Sequence, residues 1–263
     1  MLLREVEYLK PSSLAAALEA LVANDGARAL AGGQTLINVM KARAASPDVL
    51  VDLNGLAELK GIELGSDGTL SIGPMTTYAE LIDSAEARAR PILREVCAQI
   101  ADVQVRNRGT VGGNLCSNDP TNHLPPLMAA IGAELTITGQ SGERTVPAQD
   151  FFLGVYMTAV QQGELLTRIT IPAGKRDGFA AVTLGVDGTC IANAAASANG
   201  SLRIALGCVD AVPVMVEAES ADGVRAAVRA AKLDPPSDVH ASGEYRAHLA
   251  EVLAERAARQ AMR

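Results

Sequence analysis

Apolar residues Leu14, Leu18, Leu21 and Val22 recur at helical spacing, and Ser12 and Ser13 directly ahead of them supply hydroxyls suited to capping a helix start. Strand-like runs at Ala27–Ala31 and Val49–Leu53 follow, so residues 1–53 read as a βαβ-like unit. Between those strands, Gly32-Gly33 leads into a short predicted helix over Thr35–Arg43, with Leu36, Ile37, Val39 and Met40 as its apolar positions. Gly61–Leu64 and Thr69–Gly73 flank Ser66-Asp67-Gly68 and predict a hairpin. Thr77-x-x-Glu80 has the form of a capping box and opens a further helix. Pro91, at a first turn where its missing N–H costs nothing, opens another over Pro91–Ile100.

Residues 102–126 break the pattern: they are rich in Gly, Asn, Asp and Pro and carry no sustained period. A long irregular stretch inside a compact domain is usually functional. Ala133–Thr138 and Leu165–Ile171 read as strands, and Pro172–Gly178 is the best linker in the chain. It divides a domain of residues 1–174, itself split near residue 55, from a second domain of residues 178–263. In the latter, Ala180–Val186, Thr189–Ala198 and Leu202–Val209, with turns at Asp187-Gly188 and Asn199-Gly200, predict a three-stranded meander. Helices over Ala218–Ala231 and Ser242–Met262 close the chain, the last with Tyr245, Leu249, Val252 and Leu253 on one face. The fold class is α+β.

Composition narrows the function. With 263 residues, 48% hydrophobic and 20% charged, the chain has the size of two compact domains, or three small ones, and the makeup of a globular protein. No apolar run approaches the roughly 20 residues of a bilayer span, and the first residues lack the order of a secretory signal, so a cytoplasmic location is expected. A net charge of −7 argues against nucleic acid as a partner. Cys97, Cys116, Cys190 and Cys208 form no Cys-x-x-Cys pair and read as free thiols. His123, His240 and His248 include no i, i+4 pair, so no metal ligand set is expected in this chain. No Gly-x-Ser-x-Gly elbow occurs, and no residue is expected to act as a catalytic acid, base or nucleophile.

Two constellations carry chemistry. The first is Leu30-Ala31-Gly32-Gly33-Gln34-Thr35-Leu36, a strand end, two glycines and a helix start. Paired glycines let backbone approach a ligand, and the free N–H groups of the following helix favour a pyrophosphate; a plain glycine turn has the same letters. The second runs from Arg106-Asn107-Arg108-Gly109-Thr110-Val111-Gly112-Gly113-Asn114-Leu115 into Cys116-Ser117-Asn118-Asp119-Pro120-Thr121-Asn122-His123. It repeats the device with a hydroxyl, a Gly-Gly pair and an amide, followed by polar side chains suited to a polyol. Two such cradles suit a long dinucleotide, or else a surface loop with glycine turns. Arg106 and Arg108, beside the second, are candidates for a partner surface.

Together with Asp150–Tyr156 and Gly163–Pro172, these segments resemble the FAD-binding medium subunit of molybdenum hydroxylases, the family of carbon monoxide dehydrogenase medium chains and the xanthine dehydrogenase flavin domain. The segment Asp238–Leu249 is similar to that family's closing helix, so the resemblance covers nearly the whole chain. It implies a two-subdomain FAD-binding fold of the vanillyl-alcohol-oxidase type, followed by a C-terminal α+β domain with a three-stranded antiparallel sheet and helices. By the same resemblance, Ala31, Gly32, Gly33, Gln34 and Thr35 wrap the pyrophosphate, with Leu36 continuing the helix. Thr110, Val111, Gly112, Gly113 and Asn114 hold the second side of the cofactor, and Asn118 joins the polar loop around it. Ile100 and Ala101 lie near the dinucleotide, and Leu165 and Leu166 meet the flavin ring. The family carries an acid that bonds a cofactor hydroxyl where this chain has His123. It also places basic residues in the first C-terminal strand, whereas this chain has Phe179 and no Lys or Arg between Arg176 and Arg203.

The implied function is electron transfer within an oxidoreductase complex. A small subunit with two [2Fe–2S] clusters and a large molybdenum-pterin (molybdopterin) subunit are the implied partners, in a dimer of heterotrimers. FAD passes the electrons to an external acceptor. Two alternatives stand beside this reading: a self-contained flavin reductase of the same fold, and an assembly scaffold that has lost FAD.

Overall fold

The computed structural model of the chain describes residues 3–185 and 188–263. Its first unit contains β1 (Glu7–Leu9), α1 (Leu14–Ala23), β2 (Ala27–Leu30), α2 (Leu36–Lys41) and β3 (Val49–Asp52). The strands form a parallel sheet in the order β1-β3-β2, with Leu9 and Ala29 both beside Val51. Ser13 caps α1 by accepting the Ala16 N–H at 3.2 Å. The helix then buries Ala17, Leu18 and Leu21 against Val49 and Val51.

The second unit holds β4 (Ile62–Leu64), β5 (Leu70–Ile72), α3 (Tyr78–Asp83), α4 (Ile92–Cys97), α5 (Val103–Arg106), α6 (Val111–Ser117) and α7 (Leu124–Ile131). It continues with β6 (Glu134–Gly139), β7 (Gly142–Pro147), α8 (Ala148–Phe151), the hairpin β8 (Phe152–Gly154) and β9 (Met157–Thr158), and β10 (Leu165–Ile171). Five strands form an antiparallel sheet in the order β4-β5-β10-β6-β7. Thr77 and Glu80 make the expected reciprocal capping box. Residues 102–126, expected to be irregular, instead carry α5, α6 and the start of α7. The pattern concealed them for physical reasons: the first two have four and seven residues, and α7 is buried at all eight positions, so it shows no amphipathic stripe.

The third unit comprises β11 (Asp177–Thr183), β12 (Cys190–Ser197), β13 (Leu202–Gly207), β14 (Val214–Ala218), α9 (Val224–Ala230) and α10 (Gly243–Ala261). Its antiparallel meander has four strands, not three: Val214–Ala218 pairs with β13, with Val216 opposite Ile204. That apolar run abuts the next helix without a hairpin turn sequence, and the predicted helix had absorbed Ala218. The expected Asp187-Gly188 turn lies partly outside the described residues.

Every residue of β12 is buried, because both faces of the sheet are covered. Ala192, Ala194 and Ala196 meet Leu253, Ala254 and Ala257 of α10 in one core. Ala195 and Ala205, on the other face, join α7 residues Leu127 and Met128 in the core of the second unit. Small side chains permit this close layering: a Cβ on Gly178 would stand 2.1 Å from the Ala257 carbonyl oxygen.

Arg90 clasps the passage from β10 to β11. Its Nε and Nη2 donate to the Asp177 carboxylate at 2.8 and 2.9 Å, and its Nη1 donates to the Pro172 carbonyl. Both charged side chains are 2% exposed. Among the described residues, no helix is long and apolar enough to cross a membrane.

Candidate functional site

Ala31–Thr35 turn the chain from β2 into α2. Gly33 adopts φ +74°, a left-handed conformation that favours glycine. Gly32 lies flat against the chain just before α6: a Cβ there would sit 2.0 Å from the Arg108 carbonyl oxygen and 3.0 Å from the Gly109 Cα. Asn54 braces the turn from behind, donating from Nδ2 to the Ala31 carbonyl at 3.0 Å and to Asp52 Oδ1 at 2.6 Å. The Tyr8 hydroxyl also donates to Asp52. Burial pushes the Asp52 carboxyl up, but the bonds from Tyr8 and Asn54 and the charge of Lys10 together hold it below its usual value.

Ile37 is the first residue of this turn whose N–H reaches a carbonyl ahead of it, that of Gly33 at 3.1 Å. The N–H groups just before it, up to Leu36, have no helical acceptor. Thr35 stands at the N-cap of α2 with its hydroxyl making no cap bond. The Gln34 side chain makes a 3.5 Å contact, from Nε2 to the Gly32 carbonyl, while its own carbonyl accepts from Asn38 Nδ2 at 2.7 Å.

The second glycine pair behaves differently. The Val111 N–H donates to the Thr76 carbonyl at 2.9 Å and the Gly112 N–H to the Pro74 carbonyl at 2.8 Å. Gly113 donates to Thr110 Oγ1 and Asn114 to the Thr110 carbonyl, each at 3.0 Å. The expectation that both cradles offer free N–H groups is therefore corrected: here those groups cap α6 and pin it to the 74–76 loop. Its glycines serve close packing. A Cβ on Gly112 would stand 2.3 Å from the Pro74 Cβ, and one on Gly113 2.8 Å from Thr110 Oγ1 and in ordinary contact with the Ala31 Cβ at 3.5 Å.

Two facing motifs thus meet through glycine surfaces, one open and one closed. The open atom in the second is Asn114 Oδ1, buried without a hydrogen-bond partner in the protein. Asn118, expected at the cofactor, ends α6 at φ +38° and holds the β8–β9 hairpin, donating from Nδ2 to the Gly154 and Met157 carbonyls at 2.7 and 3.3 Å. Its amide donors are already engaged in that tether.

A cavity of about 310 Å³ opens between the segment after α4 and β11, lined by Ala98, Gln99, Ala101, Arg106, His123, Ala181 and Thr183. Ala101 is left-handed at φ +44°. Arg106, read as a partner-surface residue, turns inward instead: its Nη1 donates to the Ile100 and Ala101 carbonyls at 2.9 and 2.5 Å, fixing that bend at the cavity edge. His123 is buried, tilted on the Phe179 ring at 5.2 Å between centroids, with its Nδ1 3.3 Å from Asn193 Nδ2. Phe179 thus reaches the site through His123.

Leu165 and Leu166 do not line this cavity; they alternate across β10 into two different hydrophobic cores. Val111 is likewise fully buried in packing. Ala98, Gln99, Ala181 and Thr183 escaped sequence reasoning because small or common residues carry no motif, and only the docking of β11 brings the last two to the site.

The donor set fits a dinucleotide: an open row of N–H groups with a free hydroxyl, a glycine surface that a Cβ would obstruct, an unpartnered buried amide oxygen, and an adjoining cavity. An α+β chain with these features belongs to the cofactor-holding class. Residues 4–174 match the family described as the FAD binding domain in molybdopterin dehydrogenase, and the chain belongs to that family.

The carbon monoxide dehydrogenase medium chain of Afipia carboxidovorans is 47% identical over 169 residues, 63% of this chain and 58% of its own length. The matching segment thus spans less than two thirds of that relative. Subunit alpha of the 6-hydroxypseudooxynicotine dehydrogenase complex of Paenarthrobacter nicotinovorans is 32% identical over 280 residues, covering 97% of this chain and 94% of its own. A solved chain of Cu,Mo-CO dehydrogenase, in a cyanide-inactivated form, superposes with a TM-score of 0.91 at 36% identity over 99% of both chains.

Proposed function

We propose that this chain is the FAD-holding electron-transfer subunit of a molybdenum-containing oxidoreductase. The observation that carries the reading is the open N–H row of Gly33–Leu36 set against the glycine surface of the neighbouring loop. FAD, when bound, supplies the ability to take up single electrons and give up a pair. Everything this chain contributes is placement and tuning. The Ala31–Thr35 turn receives the pyrophosphate, the Thr35 hydroxyl donates to it, and Asn114 Oδ1 accepts from an N–H or O–H of the cofactor. The cavity beside His123 receives the ring and excludes water from it. Arg106 holds the Ile100–Ala101 bend that forms one wall.

In this proposal the two-lobed FAD fold is of the vanillyl-alcohol-oxidase type, with a domain boundary at residues 174–178. Electrons arrive from two [2Fe–2S] clusters on a small partner, which is fed by a large molybdopterin subunit, in a dimer of heterotrimers. They leave to an external acceptor. The test is to purify the chain with its native partners and record flavin absorption, molybdenum and iron together. About four irons per FAD, with molybdenum, is the expected result. Flavin without metals would replace the reading with a self-contained reductase, and neither would replace it with a scaffold.

A further inference from the structure

Beside the cavity, and joined to it by the His123 ring, lies a buried cluster of two cysteines and an asparagine. In the antiparallel register, Asn193 faces Gly207 across β12 and β13. Two local departures bring both thiols to that point. The β11–β12 register slips between Val182 and Thr183, so Cys190 pairs with Thr183 while Ala192 pairs with Val182. This β-bulge around Ile191 returns Cys190 to the face of Asn193. Cys208, just past β13, takes a left-handed φ of +65°, which turns its side chain toward the same place.

As a result, Asn193 Nδ2 lies 3.4 Å from the Cys190 sulfur and 3.6 Å from the Cys208 sulfur. The residues are 2% and 5% exposed. We propose that Cys190 and Cys208 are a redox-active dithiol that closes to a disulfide when hydrogen peroxide from solution reaches it.

The chemistry of the pair is unequal in the direction such a step needs. The neighbouring Cys208 thiol lowers the pKa of Cys190; burial opposes this, and His123 and Asn193 add to the lowering. The neighbouring Cys190 and burial push the Cys208 thiol up. Cys190 is therefore the nucleophile and Cys208 the resolving thiol.

The Cys190 thiolate attacks one peroxide oxygen and the O–O bond breaks. The leaving hydroxide takes up the proton Cys190 had released and becomes water. The Cys208 sulfur then attacks the sulfenic sulfur, the S–O bond breaks, and a second water leaves with the Cys208 proton. Two thiols lose two electrons and the peroxide gains them. A cavity of about 10 Å³, lined in part by Asn118, Asp119, Gly207 and Cys208, has room for a water-sized molecule on the Cys208 side of the pair. Cys97 and Cys116 lie elsewhere, and burial pushes each up to about 12, so both stay as thiols.

The experiment treats the purified full chain with hydrogen peroxide, removes the oxidant, and counts thiols after denaturation, with peptide mapping by mass spectrometry. The expected result is two thiols remaining of four, a Cys190–Cys208 crosslink lighter by two hydrogens, and full recovery with dithiothreitol. In Cys208→Ser, dimedone is expected to trap a sulfenic acid on Cys190. Four thiols remaining, a crosslink through Cys97 or Cys116, or oxidation of Cys190 without a crosslink in the unsubstituted chain would overturn the proposal. Because the mapping on the unsubstituted chain stands alone, a misfolded variant leaves the test intact.

Discussion

Replacing Gly32 by alanine tests the cradle at the point where its two halves touch. The added Cβ would meet the Arg108 carbonyl oxygen at 2.0 Å, the Arg108 carbonyl carbon at 2.8 Å and the Gly109 Cα at 3.0 Å. All three are backbone atoms, so no side chain can swing away, and the first contact is more than an ångström short of ordinary van der Waals distance. Overpacking of this kind costs about 1–3 kcal/mol. The strain is relieved when the 31–35 turn moves off the 108–109 backbone, so the whole cost falls on the arrangement that binds the cofactor. At 1.4 kcal/mol per tenfold, the flavin Kd should rise by about 5- to 150-fold. Titrating FAD into the apo-protein and following quenching of flavin fluorescence measures it. Gly55→Ala is the control, because a Cβ there meets only Lys10 Cε at 3.6 Å and the Pro11 carbonyl at 3.9 Å. A Gly32→Ala protein that binds FAD within twofold of the control would refute the reasoning.

Arg90→Met should destabilise the chain by about 3–5 kcal/mol, because it leaves the buried Asp177 carboxylate without its cation and with only the Asn199 amide to bond it; the urea midpoint reads it, and Arg90→Met with Asp177→Leu should recover most of the loss. Asp238 accepts the His240 and Ala241 N–H groups and pairs with Arg246, and those bonds hold its carboxyl down at about 2. Its stabilising contribution is present above the ordinary Asp range and is lost as pH falls toward 2, so the drop in urea midpoint over that window should be smaller in Asp238→Asn. Thr110→Val removes the acceptor of the Gly113 N–H and should cost about 1 kcal/mol by thermal or urea unfolding, with an equal loss in the absence of flavin.

Much of the fold was legible because its signals are local. The Ser13 cap, the Thr77–Glu80 box and the Asp67-Gly68 hairpin appear where the spacing predicts them. Reading failed where burial erases periodicity, as in α7, and where an apolar run lacks its own turn, as in β14. At the site, the letters Gly-Gly located both motifs but could not distinguish them. Whether an N–H is open depends on which carbonyl stands opposite, and for Val111 and Gly112 those carbonyls belong to Thr76 and Pro74, more than thirty residues earlier.

Sequence alone thus determined the α+β class, the place of the glycine turn at Ala31–Thr35 and the family resemblance, since each rests on residue types at short spacing. Tertiary structure decided what the long-range neighbours do. It turned Arg106 inward, gave Asn118 to the β8–β9 hairpin, and set Leu165 and Leu166 in the cores. It also brought Ala181 and Thr183 to the cavity, and Cys190 and Cys208 to one asparagine. The physical reason is common to all of these: a hydrogen bond or a packing contact needs a partner in space, and the partner is chosen by how sheets and helices dock.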